Sequence, residues 1–148
     1  MKRWANSALV YGILALVFGV FYREFTKAMG FTGHTALSVV HTHYFALGVL
    51  LPLVLLALEK LFLLSESRLA KWFTPCFHVG LNLTMAMMVA RGLVQVLLPE
   101  LSKGLDASIS GMAGLGHMAL GTGIVLMLVA VKSRVVVAQS KAQNTVSL

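Results

Sequence analysis

Four long apolar runs separated by short polar segments dominate the pattern of this chain. The first extends from Ala5 to Tyr22 and the second from about Thr35 to Leu58. The third extends from Trp72 to Leu98, interrupted by Arg91, and the fourth from about Ala107 to Val131. A helix rises ~1.5 Å per residue, so about 20 apolar residues cross a hydrocarbon layer ~30 Å thick. In lipid, backbone N–H and C=O groups must be satisfied internally, so runs of this kind form helices. None shows the sustained period-two alternation of a membrane barrel. The connecting segments are short: Thr26 to His34, with Gly30 and Gly33; Glu59 to Lys71; and Pro99 to Asp106, punctuated by Pro99 and Gly104. Short connections make consecutive helices antiparallel neighbours. The pattern therefore predicts an all-α fold, one integral membrane up-down-up-down four-helix bundle. A polar tail follows over residues 132–148, the last eight or so without fixed structure.

Composition supports this reading. Hydrophobic residues make up 58% of the chain and charged residues only 11%, against about 25% charged in a soluble domain. A net charge of +7 would suggest nucleic acid, but the charges sit between the apolar runs. The positive-inside rule accounts for them better. With a cytoplasmic N-terminus, the inner side holds Lys2, Arg3, Lys60, Arg68, Lys71, Lys132, Arg134 and Lys141, and the outer side Arg23, Lys27 and Lys103. Both termini are thus expected in the cytoplasm, with the lipid bilayer as partner and no nucleic acid. The first run is too long for a signal peptide and lacks a small-residue cleavage site, so it reads as a retained helix. Cys76 has no second cysteine to pair with and reads as a small packing residue. No Walker loop, dinucleotide fingerprint or nucleophile elbow is present.

The candidate chemistry lies in ionisable groups within the runs: His41, His43, His78, His117 and Arg91. Such groups are costly in a bilayer and default to a functional hypothesis. Counted along untilted helices, Glu24, His41, His43, Arg91 and His117 fall in the outer half, and His78 in the inner half. His41 and His43 lie about 200° apart around a helix, so one faces the bundle centre and the other a neighbour; the sequence leaves the choice open. His117 shares a stripe with the small residues Ser110, Ala113, Gly114 and Gly121, which either admits a close helix or leaves room for a flat cofactor. Diagonal second and fourth helices could clamp a b-type haem between His117 and His41 or His43. Arg91 would then suit the propionates, or else pair with Glu24 or extend toward the outer interface. The same three histidines could instead hold a divalent metal. Met85, Met87 and Met88 allow copper(I) but are also ordinary core filler. His78 aligns with Asn82 and reads as a packing residue bonded to Asn82 or a backbone carbonyl. His34 reads as a solvated loop residue.

Several strings carry a resemblance: His41-Thr-His43-Tyr-Phe-Ala-Leu-Gly48, Phe77-His78-Val-Gly-Leu-Asn-Leu-Thr84, Arg91-Gly92 and Gly114-Leu-Gly116-His117. Together they resemble a family of small bacterial four-helix membrane proteins of unknown function, over nearly the whole chain. The resemblance implies the topology and a bacterial inner-membrane location, but no activity. The chain is also similar in topology to one half of the haem A synthase bundle, where b-type haem sits between histidines near the outer ends of alternate helices. Arg23-Glu24 stands here in place of that family's outer Glu-rich and His-Arg motifs. The expectation is a haem-binding protein for electron transfer, haem handling or redox sensing, with a redox partner or a second copy. The alternatives are a structural or accessory membrane protein with packing histidines, and a divalent-metal binding or transport protein.

Overall fold

A computed structural model of the chain describes residues 1–98 and 100–146. Among the described residues there are four long helices and no strand: α1 (Lys2–Ala28), α2 (Leu37–Phe62), α3 (Ala70–Leu97) and α4 (Lys103–Val146). Each is long and apolar enough to cross a membrane. Most of the helix ends extend beyond the apolar runs, because Lys, Arg, Glu and Gln propagate a helix about as well as Leu. The difference is largest in α4. Residues 141–146, expected to lack fixed structure, are helical, and Asp106, expected in a loop, lies in the first turn of the helix. The proposed turn residue Pro99 and the last two positions of the tail lie outside the described residues.

The helices alternate in direction. The N-terminus, the α2–α3 connection and Arg134 of α4 share one face, where Met1, Glu59 and Ser65 line a common hollow and Arg134 donates to the Phe62 carbonyl (2.9 Å) and to Glu66 (2.7 Å). The connection between α2 and α3 is built on Leu63 in the left-handed region (φ 53°). Buried Glu59 holds it by accepting from the Ser65 amide (2.9 Å) and hydroxyl (2.5 Å).

Glycines mark the helix contacts, and at Gly92 of α3 an added methyl would meet the Leu37 amide of α2 at 2.5 Å. Along α3 and α4, Phe77 meets Gly123, Gly80 meets Leu120, and Thr84 meets Gly116, a regular antiparallel seam with a glycine at each crossing. Along α1 and α2, Gly12 meets Val49, Gly48 meets Tyr11, and Gly19 meets His41. Small residues let backbones approach where lipid supplies no hydrophobic drive between helices.

The middle of α2, Tyr44–Leu50, is π-helical, with the Leu51 amide reaching the Ala46 carbonyl five residues back. Pro52 explains this: it has no N–H for the Gly48 carbonyl, and its ring presses against that carbonyl, so the preceding turns widen. The core gathers Trp4, Tyr11, Tyr44, Leu55, Phe73, Phe77, Leu81, Met85, Leu120 and Met127. Outward positions are equally apolar, with Leu9, Ile13, Val20, Val79, Met118 and Val125 all more than half exposed.

Candidate functional site

The structure does not bring the outer-half histidines together. His117 is exposed on α4 and its Nδ1 lies 2.8 Å from the Ala113 carbonyl of its own helix. His43 makes the same local bond, Nδ1 to the Val39 carbonyl at 2.8 Å. His41 turns toward α1, its ring against Gly19, with Nδ1 buried and unpartnered. The stripe expected to open a gap inside the bundle faces outward, for a Cβ on Gly114 or Gly121 would meet nothing within 4 Å. The inward stripe of α4 is Gly116, Leu120, Gly123 and Met127, rotated by about one residue around the helix. A porphyrin clamped between His117 and α2 inside one chain does not fit this arrangement. Among the described residues no three of His, Cys, Asp and Glu converge on a point that could hold a metal ion. Met85 is core filler, 1% exposed.

Arg91 also has other partners than expected. It pairs with the Asp106 carboxylate, and its Nη2 donates to the Asp106 carbonyl (3.2 Å) and to Ser110 Oγ (2.6 Å). This ties the end of α3 to the start of α4. Glu24 takes no part; it lies on the surface, 3.7 Å from its neighbour Arg23. Close by, Thr35 donates to the Gly92 carbonyl (2.9 Å) and Gln95 accepts from the Ala36 amide (2.8 Å), docking the start of α2 on α3.

The imidazole that is hydrogen-bonded across helices is His78. Its Nδ1 lies 2.8 Å from the hydroxyl of buried Tyr11 on α1. Asn82, one turn along α3, donates to that hydroxyl (2.8 Å) and to the His78 carbonyl (2.8 Å). Tyr11 is seated by Gly48, where a methyl would come within 2.6 Å of the Tyr11 Cβ. The π-helical turn around Gly48 thus shapes the wall behind the site.

The rings form a continuous stack. Trp4 lies between Phe73 and His78 at 6.0 Å from each, Tyr11 follows His78 at 5.8 Å, Tyr44 follows Tyr11 at 5.7 Å, and Phe18 follows Tyr44 at 5.8 Å. On its open side the trio borders a cleft of about 250 Å³ between α1 and α3, lined by Asn6, Ser7, Val10, Tyr11 and His78. Ser7 donates to the Arg3 carbonyl (2.9 Å), leaving its lone pairs free. Tyr11 lies nine residues beyond the start of α1, about 14 Å from that end of the bundle.

The residues not singled out from sequence are Tyr11, Asn6 and Ser7 at this cleft, Trp4 stacked on His78, and Asp106 beside Arg91; Ser110 was read as part of the stripe beside His117, not as a partner of Arg91. The signal for the first group was polar side chains at positions 6, 7 and 11 inside the first apolar run. For Asp106 it was the antiparallel register: Arg91 and Asp106 flank the α3–α4 connection, each within about two helical turns of it.

The chain belongs to the DUF2871 family, described as proteins of unknown function, whose profile matches residues 1–134. No curated protein and no solved structure matches the chain.

Proposed function

We propose that this protein is an integral membrane binding protein for a neutral, lipid-soluble small molecule. The ligand's polar head enters the cleft between α1 and α3 and is met by Tyr11 and His78, with Asn82 holding Tyr11 in place. The carrying observation is the hydrogen-bonded trio of these side chains, well inside the apolar length of the bundle and bordering an open cleft. Polar groups facing hydrocarbon are costly without partners, so a cleft of them on an apolar surface favours an occupant that brings its own hydrogen-bonding atoms. No side chain lining the cleft is a carboxylate, lysine or arginine, which favours an uncharged head. The surrounding surface is apolar, so the ligand arrives from the bilayer with its tail remaining there.

The test is photolabelling in liposomes with a long-chain alcohol that carries a diazirine next to its hydroxyl. Labelling should concentrate in residues 4–11 and 78–82 and fall on competition with unlabelled alcohol. Even labelling around all four helices would sink the reading.

The exposed position of His117 supports a second reading. With Nδ1 satisfied by Ala113 and open space over Gly114 and Gly121, two copies could oppose their His117 rings around a haem. A Soret band that His117→Ala abolishes would favour it; colourless purified protein expressed with added haem precursor would refute it.

A further inference from the structure

We infer that the molecule taken by the α1–α3 cleft is a quinone in exchange with its quinol; this rests on the binding role proposed above and specifies its ligand. The argument is the proton arrangement of the trio. Both Asn82 amide hydrogens are committed, one to the Tyr11 hydroxyl and one to the His78 carbonyl. The Tyr11 oxygen therefore accepts one bond and has one hydrogen to place. The contact between that oxygen and His78 Nδ1 can be made in two ways.

In the first, Tyr11 donates to Nδ1. His78 then carries its proton on Nε2, the ring nitrogen not bonded to Tyr11, and the site offers a donor. In the second, Nδ1–H donates to Tyr11. Nε2 is then a bare acceptor, and the Tyr11 hydroxyl hydrogen turns away from Nδ1. The two states have the same composition and no formal charge; they differ by one proton's place on the His78 ring and by rotation of the Tyr11 hydroxyl. One site thus presents a donor for a carbonyl oxygen or an acceptor for a hydroxyl. A quinone carbonyl accepts and a quinol hydroxyl donates, so a head group that alternates between these forms matches the two states.

Shape agrees. The cleft, about 250 Å³, suits one substituted ring with its tail outside, and it adjoins the stacked rings of Trp4, His78 and Tyr11. Ser7 and Asn6, on the α1 wall, supply further polar atoms. The inference concerns binding of both forms; no electron transfer is assigned to the chain.

The test uses the full chain in lipid nanodiscs. The sequence has two tryptophans, so Trp72→Phe leaves Trp4, which stacks on His78, as the reporter. A decyl-tailed benzoquinone should quench Trp4 in a saturable manner above the linear collisional background, and its quinol should compete. Val10→Phe, which fills the cleft while leaving Tyr11, His78 and Asn82 in the chain, should remove the saturable component. Tyr11→Phe should weaken both forms by roughly five- to tenfold, the worth of one lost hydrogen bond.

The failures are distinguishable. If the quinone quenches only linearly while a long-chain alcohol brominated near its hydroxyl quenches saturably, and Val10→Phe abolishes that, the quinone assignment is overturned and the binding role stands. If neither probe saturates, both are overturned. Saturable quinone binding indifferent to Val10→Phe would place the quinone elsewhere and also overturn the assignment.

Discussion

Gly80 offers a direct test of what holds the bundle together. A methyl added there would press on the Leu120 amide, with the Leu120 Cα at 2.6 Å and the Ala119 carbonyl carbon at 2.8 Å. These atoms are backbone, so no rotamer change relieves the contact. Reaching ordinary van der Waals separation requires α3 and α4 to part by roughly an ångström, which loosens the packing of Phe77, Leu81 and Leu120 along the seam. Overpacking of this kind costs about 1–3 kcal/mol, and the backbone clash puts Gly80→Ala toward the upper end. Gly114→Ala is the matched control. It is the same chemical change in an apolar helix, but the new methyl meets nothing within 4 Å. Its expected effect lies between zero and about 1 kcal/mol of stabilisation, from helix propensity. The assay is reversible unfolding from mild detergent into SDS, followed by helicity. Gly80→Ala within about 0.5 kcal/mol of the parent would refute the backbone-contact reasoning, since that is the scatter of surface substitutions. Destabilisation by Gly114→Ala would show instead that the outward face of α4 is packed against a second copy.

Asp106→Ala strips Arg91 of its carboxylate and should destabilise the α3–α4 end by about 0.2–1 kcal/mol, the range of an exposed ion pair, seen as faster amide exchange around residues 91–95 and 103–110. Unchanged exchange would mean that Arg91 is held by lipid phosphate and not by α4. Glu59→Ala removes the acceptor for the Ser65 amide and hydroxyl; it should expose residues 63–69 to protease while leaving the α1–α3 cleft intact, and a resistant loop would contradict that role. His43→Ala should change stability by less than about 0.5 kcal/mol in the same SDS titration, because its ring bonds only to its own helix; a larger loss would reveal a partner for the imidazole.

The helices were legible because hydropathy is a local property and the four runs contain few interruptions. Their rotation was not. In water an amphipathic helix announces its buried face, but here Leu115, Met118 and Val125 on the outside of α4 are as apolar as Leu120 and Met127 inside. Small residues were the remaining guide, and α4 has two glycine stripes. Gly114 and Gly121 were read as the interior stripe, whereas Gly116 and Gly123 carry the contact with α3. An error of about one residue in rotation carried His117 from the core to the surface. Tyr11 was passed over for a related reason: it counts as apolar in composition, and only its hydroxyl contact with His78 shows it to be the hub of a polar network. The π-helical turn had a signal in Gly48 followed four residues later by Pro52, but its effect, seating Tyr11 against α2, depends on another helix.

The location of the cleft follows from how the glycines are distributed. α3 and α4 are drawn together at Gly80, Gly116 and Gly123, and α1 and α2 at Gly12, Gly19 and Gly48. The α3–α4 seam excludes large polar groups, because backbone meets backbone there. No glycine contact joins α1 to α3 among the described residues. That seam is filled by side chains, with Trp4 against Phe73 and His78, and Tyr11 against His78 and Asn82. Ring spacing near 6 Å holds the two helices further apart than a glycine seam would, and the space left beside the rings is the cleft. A histidine in the α3–α4 seam would have to leave, whereas in the α1–α3 seam it finds a hydroxyl partner and an open side. The open α1–α3 seam therefore admits the His78 imidazole together with a hydrogen-bond partner, whereas His41 sits in the α1–α2 seam with Nδ1 unpartnered. Closing the α1–α3 seam, by replacing Trp4 and Tyr11 together with alanine, should let the helices collapse and remove the binding site even though His78 remains.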